Sequence, residues 1–146
     1  MISDQIKAVG KLTITVTGEN GQVKDEVVVD NLVVTAGKNF IASRMTGTAS
    51  AVMSHMAIGT GSTAPAAGDT GLGAEVGRVA LTSSTTSGAV TTYVATFPAG
   101  TGTGAITEAG IFNAASSGTL LCRTVFSVVN KGASDQMTVN WTVTIA

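Results

Sequence analysis

Gln136-Met137-Thr138-Val139-Asn140-Trp141-Thr142-Val143-Thr144-Ile145 alternates apolar and polar side chains without a break. Successive side chains of a strand point to opposite faces, so Met137, Val139, Trp141, Val143 and Ile145 share one side and the threonines and Asn140 the other. A slip of one residue would turn all five apolar groups to water, which fixes the register. The stretch therefore predicts a strand central to the core. Trp141, the single tryptophan, reads as a core side chain rather than an exposed stacking platform.

The same period recurs near the start of the chain, where Leu12, Ile14 and Val16 fall on one face and Thr13, Thr15 and Thr17 on the other. Gly18-Glu19-Asn20-Gly21 then supplies a hairpin turn, because Asn-Gly tolerates positive φ. The run over residues 22–34 is rich in valine and reads as the returning strand, with a bulge or bend at Asp30-Asn31. Further strands are expected over residues 52–58, 75–82, 89–97, 106–113 and 119–129. The polar stretch 83–88 reads as the connection that lets 75–82 and 89–97 pair as a hairpin, and the glycine-rich segments 59–69 and 98–104 read as flexible loops.

One stretch only reads as helix, near residues 36–46. Thr35 stands where a cap belongs, Phe40, Ile41 and Met45 have helical spacing, and Gly47 follows as a stop. About eight strands and one short helix make the chain an all-β protein, an antiparallel β-sandwich with a jelly roll as the expected arrangement. No composition break divides residues 1–146, so they read as one domain, with residues 1–10 as an extended arm. The expected core is Leu12, Ile14, Val16, Phe40, Phe112, Phe126, Val139, Trp141 and Val143.

Charged residues are 12% of the 146 and the net charge is −1. That balance leaves no basic stripe to follow a phosphate backbone and no patch for an anionic bilayer, so neither nucleic acid nor membrane is expected as a direct partner. No basic, apolar leader opens the sequence and no run reaches the ~18 apolar residues of a membrane span. The expectation is a chain made in the cytoplasm and remaining soluble. A soluble chain with so few charges is also expected to have part of its surface covered in use.

Catalytic chemistry finds few candidates. His55 is the only histidine, which excludes a multi-histidine metal site in one chain and weakens any Ser-His-Asp or Cys-His arrangement. Asp25 and Glu26 are adjacent and so point to opposite faces of a strand. Cys122, the single cysteine, lies in the apolar run Leu120-Leu121-Cys122 and reads as a small core residue. Gly59-Thr60-Gly61-Ser62 and Gly100-Thr101-Gly102-Thr103-Gly104 lack the spacing and the lysine of a phosphate loop. No enzyme activity, no metal and no cofactor is expected. Glu108 stands out because it interrupts the apolar strand Ile106-Thr107-Glu108-Ala109-Gly110-Ile111-Phe112, where a buried charge needs a partner, and Arg123 in the next strand is placed to be that partner across a hairpin.

From about Asn31 onward, the order of several short motifs resembles small virion proteins of tailed bacteriophages. The resemblance is carried by Asn31-Leu32-Val33-Val34-Thr35-Ala36-Gly37-Lys38, by Met56-Ala57-Ile58-Gly59-Thr60-Gly61 and by Thr107-Glu108-Ala109-Gly110-Ile111-Phe112-Asn113. Gly118-Thr119-Leu120-Leu121-Cys122-Arg123 and Val139-Asn140-Trp141-Thr142-Val143 complete it. Within that class the chain is most similar to the capsid cement, or decoration, proteins of short-tailed phages such as those infecting Bordetella. The resemblance implies a jelly roll on the outer surface of the virion head, partnered with the major capsid protein and stabilising the shell, with no catalytic residue to carry over. Self-association as a dimer or trimer is expected for a protein at a symmetry seam. Similar segments occur in tail and fibre-associated proteins, which keeps a module binding a tail protein or a host glycan as the alternative. The segments 1–10, 60–73 and 98–104 are the expected contact surfaces.

Overall fold

The alternating stretches at the two ends of the sequence are neighbours in space. The computed structural model describes residues 5–48 and 50–146. Its elements are, in chain order, β1 (Ala8–Thr17), β2 (Val23–Val33), α1 (Thr35–Arg44), β3 (His55–Gly59), β4 (Glu75–Ala80), β5 (Ser83–Ser87), β6 (Val90–Phe97), β7 (Gly104–Phe112), β8 (Leu120–Lys131) and β9 (Gln136–Ile145). All pairings are antiparallel. They form one sheet in the order β4-β3-β7-β8-β2-β1-β9-β6-β5, which curls into a half-barrel.

β9 lies between β1 and β6, with Trp141 opposite Leu12 on one side and Tyr93 on the other. The predicted inward faces are the observed ones: Leu12, Ile14, Val16, Val139, Trp141 and Val143 are buried in one cluster with Phe97 of β6 and with Met56, Ile58, Ile106 and Ile111 from the other half of the sheet. Curling lets a single sheet cover its own apolar face, as two packed sheets would. Phe112 is buried in a smaller cluster beside it with Val34, Ala57 and Leu120. Phe40 and Phe126, expected in the core, are half-buried and pack against its margin.

β2 joins the two halves. It pairs with β1 through Asn31, then with β8 at Leu32 and Val33. The expected irregularity at Asp30-Asn31 is therefore a change of partner without a bulge; the shift in register on this ladder falls at Val16/Thr17.

Several expectations are corrected. Nine strands stand among the described residues, because residues 83–88 are no simple connection: Ser83–Ser87 is a strand in its own right. It takes the place beside β6 expected of residues 75–82, which pair with β3 instead. The pairs β1-β2, β3-β4, β5-β6 and β7-β8 are hairpins within one continuous order, and this order does not establish the two separate sheets of a jelly roll. In the expected arm, residues 1–4 lie outside the described residues, while residues 8–10 belong to β1 and pair with β9.

α1 starts at Thr35 itself, with Val34 in extended conformation as its cap and no side-chain cap hydrogen bond. Gly47 does follow the end, at φ 66°, whereas Met45 is 86% exposed rather than packed. The helix sits close on β8: a Cβ on Gly37 would lie 2.0 Å from the carbonyl oxygen of Leu121. Only glycine permits that approach.

Candidate functional site

β7 and β8 place the two charges that the sequence singles out. Glu108 pairs with Val125 and Gly110 with Arg123, so the carboxylate and the guanidinium are diagonal neighbours on one face. Glu108 is 0% and Arg123 2% exposed. The guanidinium donates to Glu108 Oε1 from Nη2 at 3.0 Å and from Nε at 3.2 Å. The expected ion pair is present and buried.

The pair reaches much further than its own hairpin. Glu108 Oε2 accepts the backbone N–H groups of Gly61 and Ala74, each at 2.7 Å, and Oε1 accepts that of Gly73 at 2.8 Å. Arg123 Nη1 donates to Asp69 Oδ2 at 2.9 Å and Nη2 to the carbonyl of Thr63 at 3.0 Å. Asp69 in turn accepts the N–H of Ala66, and Thr107 donates its hydroxyl to the carbonyl of Gly61 at 2.7 Å. The connection from β3 to β4, residues 60–74, is thereby fastened along its length to two buried side chains.

This corrects the reading of the Gly59-Thr60-Gly61-Ser62 segment as flexible. A Cβ on Gly61 would lie 2.4 Å from Glu108 Oε2, and one on Gly59 would lie 2.4 Å from the carbonyl oxygen of Ala74. The glycines are there for close approach to an anion, as in a phosphate loop, but the anion is the chain's own carboxylate. The N–H groups of Gly61, Gly73 and Ala74 are occupied by Glu108 and are not free to hold a ligand.

Burial by itself raises the pKa of Glu108. The N–H groups of Ala74, Gly73 and Gly61, together with Arg123, outweigh that effect and hold it below its ordinary value. A carboxylate depressed on folding contributes stability that is complete above its unfolded pKa, roughly 4.3, and is lost as pH falls through the folded one. Thermal unfolding followed from neutral pH downward is expected to show a loss beginning in the range of ordinary carboxylates. The loss should be smaller in Glu108→Gln, and identical acid profiles for the two proteins would contradict the assignment.

A second buried polar group lies under the turn between β8 and β9. Asp135 accepts from Lys24 Nζ at 2.9 Å and from the N–H of Gly132 at 2.8 Å. These bonds, the lysine first, hold its pKa below the usual value. Lys131 donates to the carbonyl of Pro98 at 2.9 Å and so ties down the 98–104 loop, while burial lowers its pKa against the opposing charge of Asp135. Both candidate contact loops are thus held by a buried charge.

The remaining sequence candidates are not brought together. His55 is half-buried in β3 with Nδ1 2.8 Å from Ser54 Oγ. Cys122 is buried, and burial pushes its thiol well up, away from the reactive thiolate. Asp25 and Glu26 are exposed on β2. Among the described residues no group of three or more His, Cys, Asp or Glu is placed to hold a metal, and no helix is long and apolar enough to cross a membrane. The organised feature of the molecule is an anchored surface loop.

Compared with protein families, curated proteins and solved structures, the chain matches none. Function has therefore to be argued from the residues. Reading Glu108 and Arg123 as a pair missed Asp69, Thr63 and the N–H groups of Gly61, Gly73 and Ala74. The available signal was Glu108 itself: one arginine leaves lone pairs of a buried carboxylate unmet, and glycine-rich backbone is a ready source of donors.

Proposed function

We propose that this chain is a structural protein of a tailed-phage virion, specifically a cement or decoration protein. It binds the outer surface of the assembled head, bridges major capsid subunits, and associates with further copies of itself. The observation that carries the reading is the 60–74 loop. It is largely exposed and carries one acid, Asp69, already paired with Arg123, so the surface it offers is neutral and costs little charge solvation to bury. Its shape is set before binding by Glu108 and Arg123, which spares the entropy of ordering a loop on contact.

A cement stabilises a shell by binding the assembled lattice more tightly than its free subunits, and many modest contacts on one lattice act together. The motif resemblance from Asn31 onward points the same way. The test is to add purified protein to heads stripped of it and to measure co-sedimentation and resistance of the heads to heating. Binding and a higher breakdown temperature are expected, both lost in Ala64→Lys, which places a charge at an exposed loop position. Absence of binding to heads, with binding to tails or to a host glycan, would replace this reading with that of a tail or fibre module.

A further inference from the structure

The sheet ends in two edges that differ. At one end, β4 carries Glu75 and Arg78, joined at 2.7 Å, and its ladder with β3 shifts register at Ile58/Gly59. Charge and irregularity are what keep a further strand from adding to an edge. At the other end, β5 is Ser83-Ser84-Thr85-Thr86-Ser87, exposed at every position, without charge or proline. It pairs with β6 in unbroken register from Ser83↔Val94 to Ser87↔Val90. The outward row of its backbone N–H and C=O groups has no strand beside it among the described residues.

We propose that β5 pairs antiparallel with β5 of a second copy of this chain, giving a closed homodimer whose sheet runs continuously across a two-fold axis. A strand laid antiparallel on its own copy is complementary by symmetry, since each outward donor meets the equivalent acceptor. Charge permits it as well. No charged residue occurs between Arg78 and Glu108, so the whole β5-β6 hairpin meets its copy without like-charge repulsion. Hydroxyl pairing across strands is already present beside the edge, where Thr86 Oγ1 and Thr91 Oγ1 are 3.1 Å apart. A different protein would need an open edge of its own, whereas a second copy brings one.

Because β4 is guarded, pairing through β5 stops at two copies and does not continue into a fibre. A five-residue edge buries less than the roughly 1,200–2,000 Å² of a stable interface, so the association is weak and depends on concentration. In the symmetric register Thr85 faces its own symmetry mate, and Ser84 faces Thr86 of the other copy. The proposal deepens the self-association contained in the cement reading but needs no head. It is tested on the isolated chain, so either idea can fail without the other.

Sedimentation velocity over rising concentration is expected to move the protein from the monomer toward twice its mass. Thr85→Lys should weaken association by about tenfold or more while leaving circular dichroism and thermal midpoint unchanged, since the side chain is exposed. Ser84→Pro, which removes one of the outward-facing donors, should do the same. Thr85→Cys under mild oxidation should give a covalent dimer, and Ser134→Cys, exposed in the turn between β8 and β9, should not. Cys122 is buried and offers no competing thiol. A monomer at every concentration, a trimer, or undiminished association of Thr85→Lys and Ser84→Pro would overturn the proposal.

Discussion

Glu108→Ala is expected to lower stability by about 3–5 kcal/mol, the usual cost of removing one partner from a buried ion pair. Arg123 would keep Asp69 and Thr63 but lose both bonds to the carboxylate, and the N–H groups of Gly61, Gly73 and Ala74 would lose their acceptor together. A marginally stable domain has only about 5–15 kcal/mol in all, so this is a large share of it. Urea unfolding gives the loss, and limited proteolysis should cut between residues 60 and 74 in the variant before it cuts the native protein. Replacing both partners, as Glu108→Leu with Arg123→Met, removes the stranded charge but still leaves the loop donors unmet. Recovery should therefore be partial. A loss below about 1 kcal/mol in Glu108→Ala would mean that water replaces the carboxylate without penalty and that the network does not organise the loop.

The second large effect is expected at Trp141. Its side chain is fully buried on β9, opposite Leu12 and Tyr93, and Trp141→Ala should cost about 3–5 kcal/mol by opening a cavity in the core beneath β1, β9 and β6. The indole Nε1 has no hydrogen-bond partner among the described residues. Trp141→Phe gives up volume but also a buried donor that nothing accepts, so it should cost clearly less than Trp141→Ala. Equal losses in denaturant unfolding would show that Nε1 contributes to stability through an acceptor, contrary to this reading.

Legibility in the sequence followed the physics of burial. β9 was readable to the residue, and β1 from Lys11 onward, because each has one face in the core and a half-buried strand writes its period into the side chains. β5 was not readable as a strand: both of its faces are exposed, so five serines and threonines carry no period and resemble a connection. Its absence from the expected order also sent β4 to the wrong neighbour. In the site, Glu108 was conspicuous as an acid in an apolar strand and Arg123 lay within reach across one hairpin. Asp69 and the three N–H donors come from a loop between two other strands, and no local pattern records which loop will fold over a buried charge. The core phenylalanines divide similarly. Phe112 is packed in a strand, whereas Phe40 and Phe126 are apolar residues at a margin that sequence alone does not separate from the interior.

The pairing of β1 with β9 has a consequence for how the molecule comes into being. Ala8 is registered against Ile145, so two strands from opposite ends of the described sequence must meet before β6 and β5 can join the rest of the sheet. Until β9 leaves the ribosome, β1 has only β2 beside it, and β6 lacks the strand that joins it to β1. Contacts of such long range make for slow folding, in milliseconds to seconds rather than microseconds, and the apolar faces of β1 and β6 stay exposed meanwhile. A chain interrupted before Gln136 can still pair β4-β3-β7-β8-β2-β1, but its β5-β6 hairpin has no strand to join it to them.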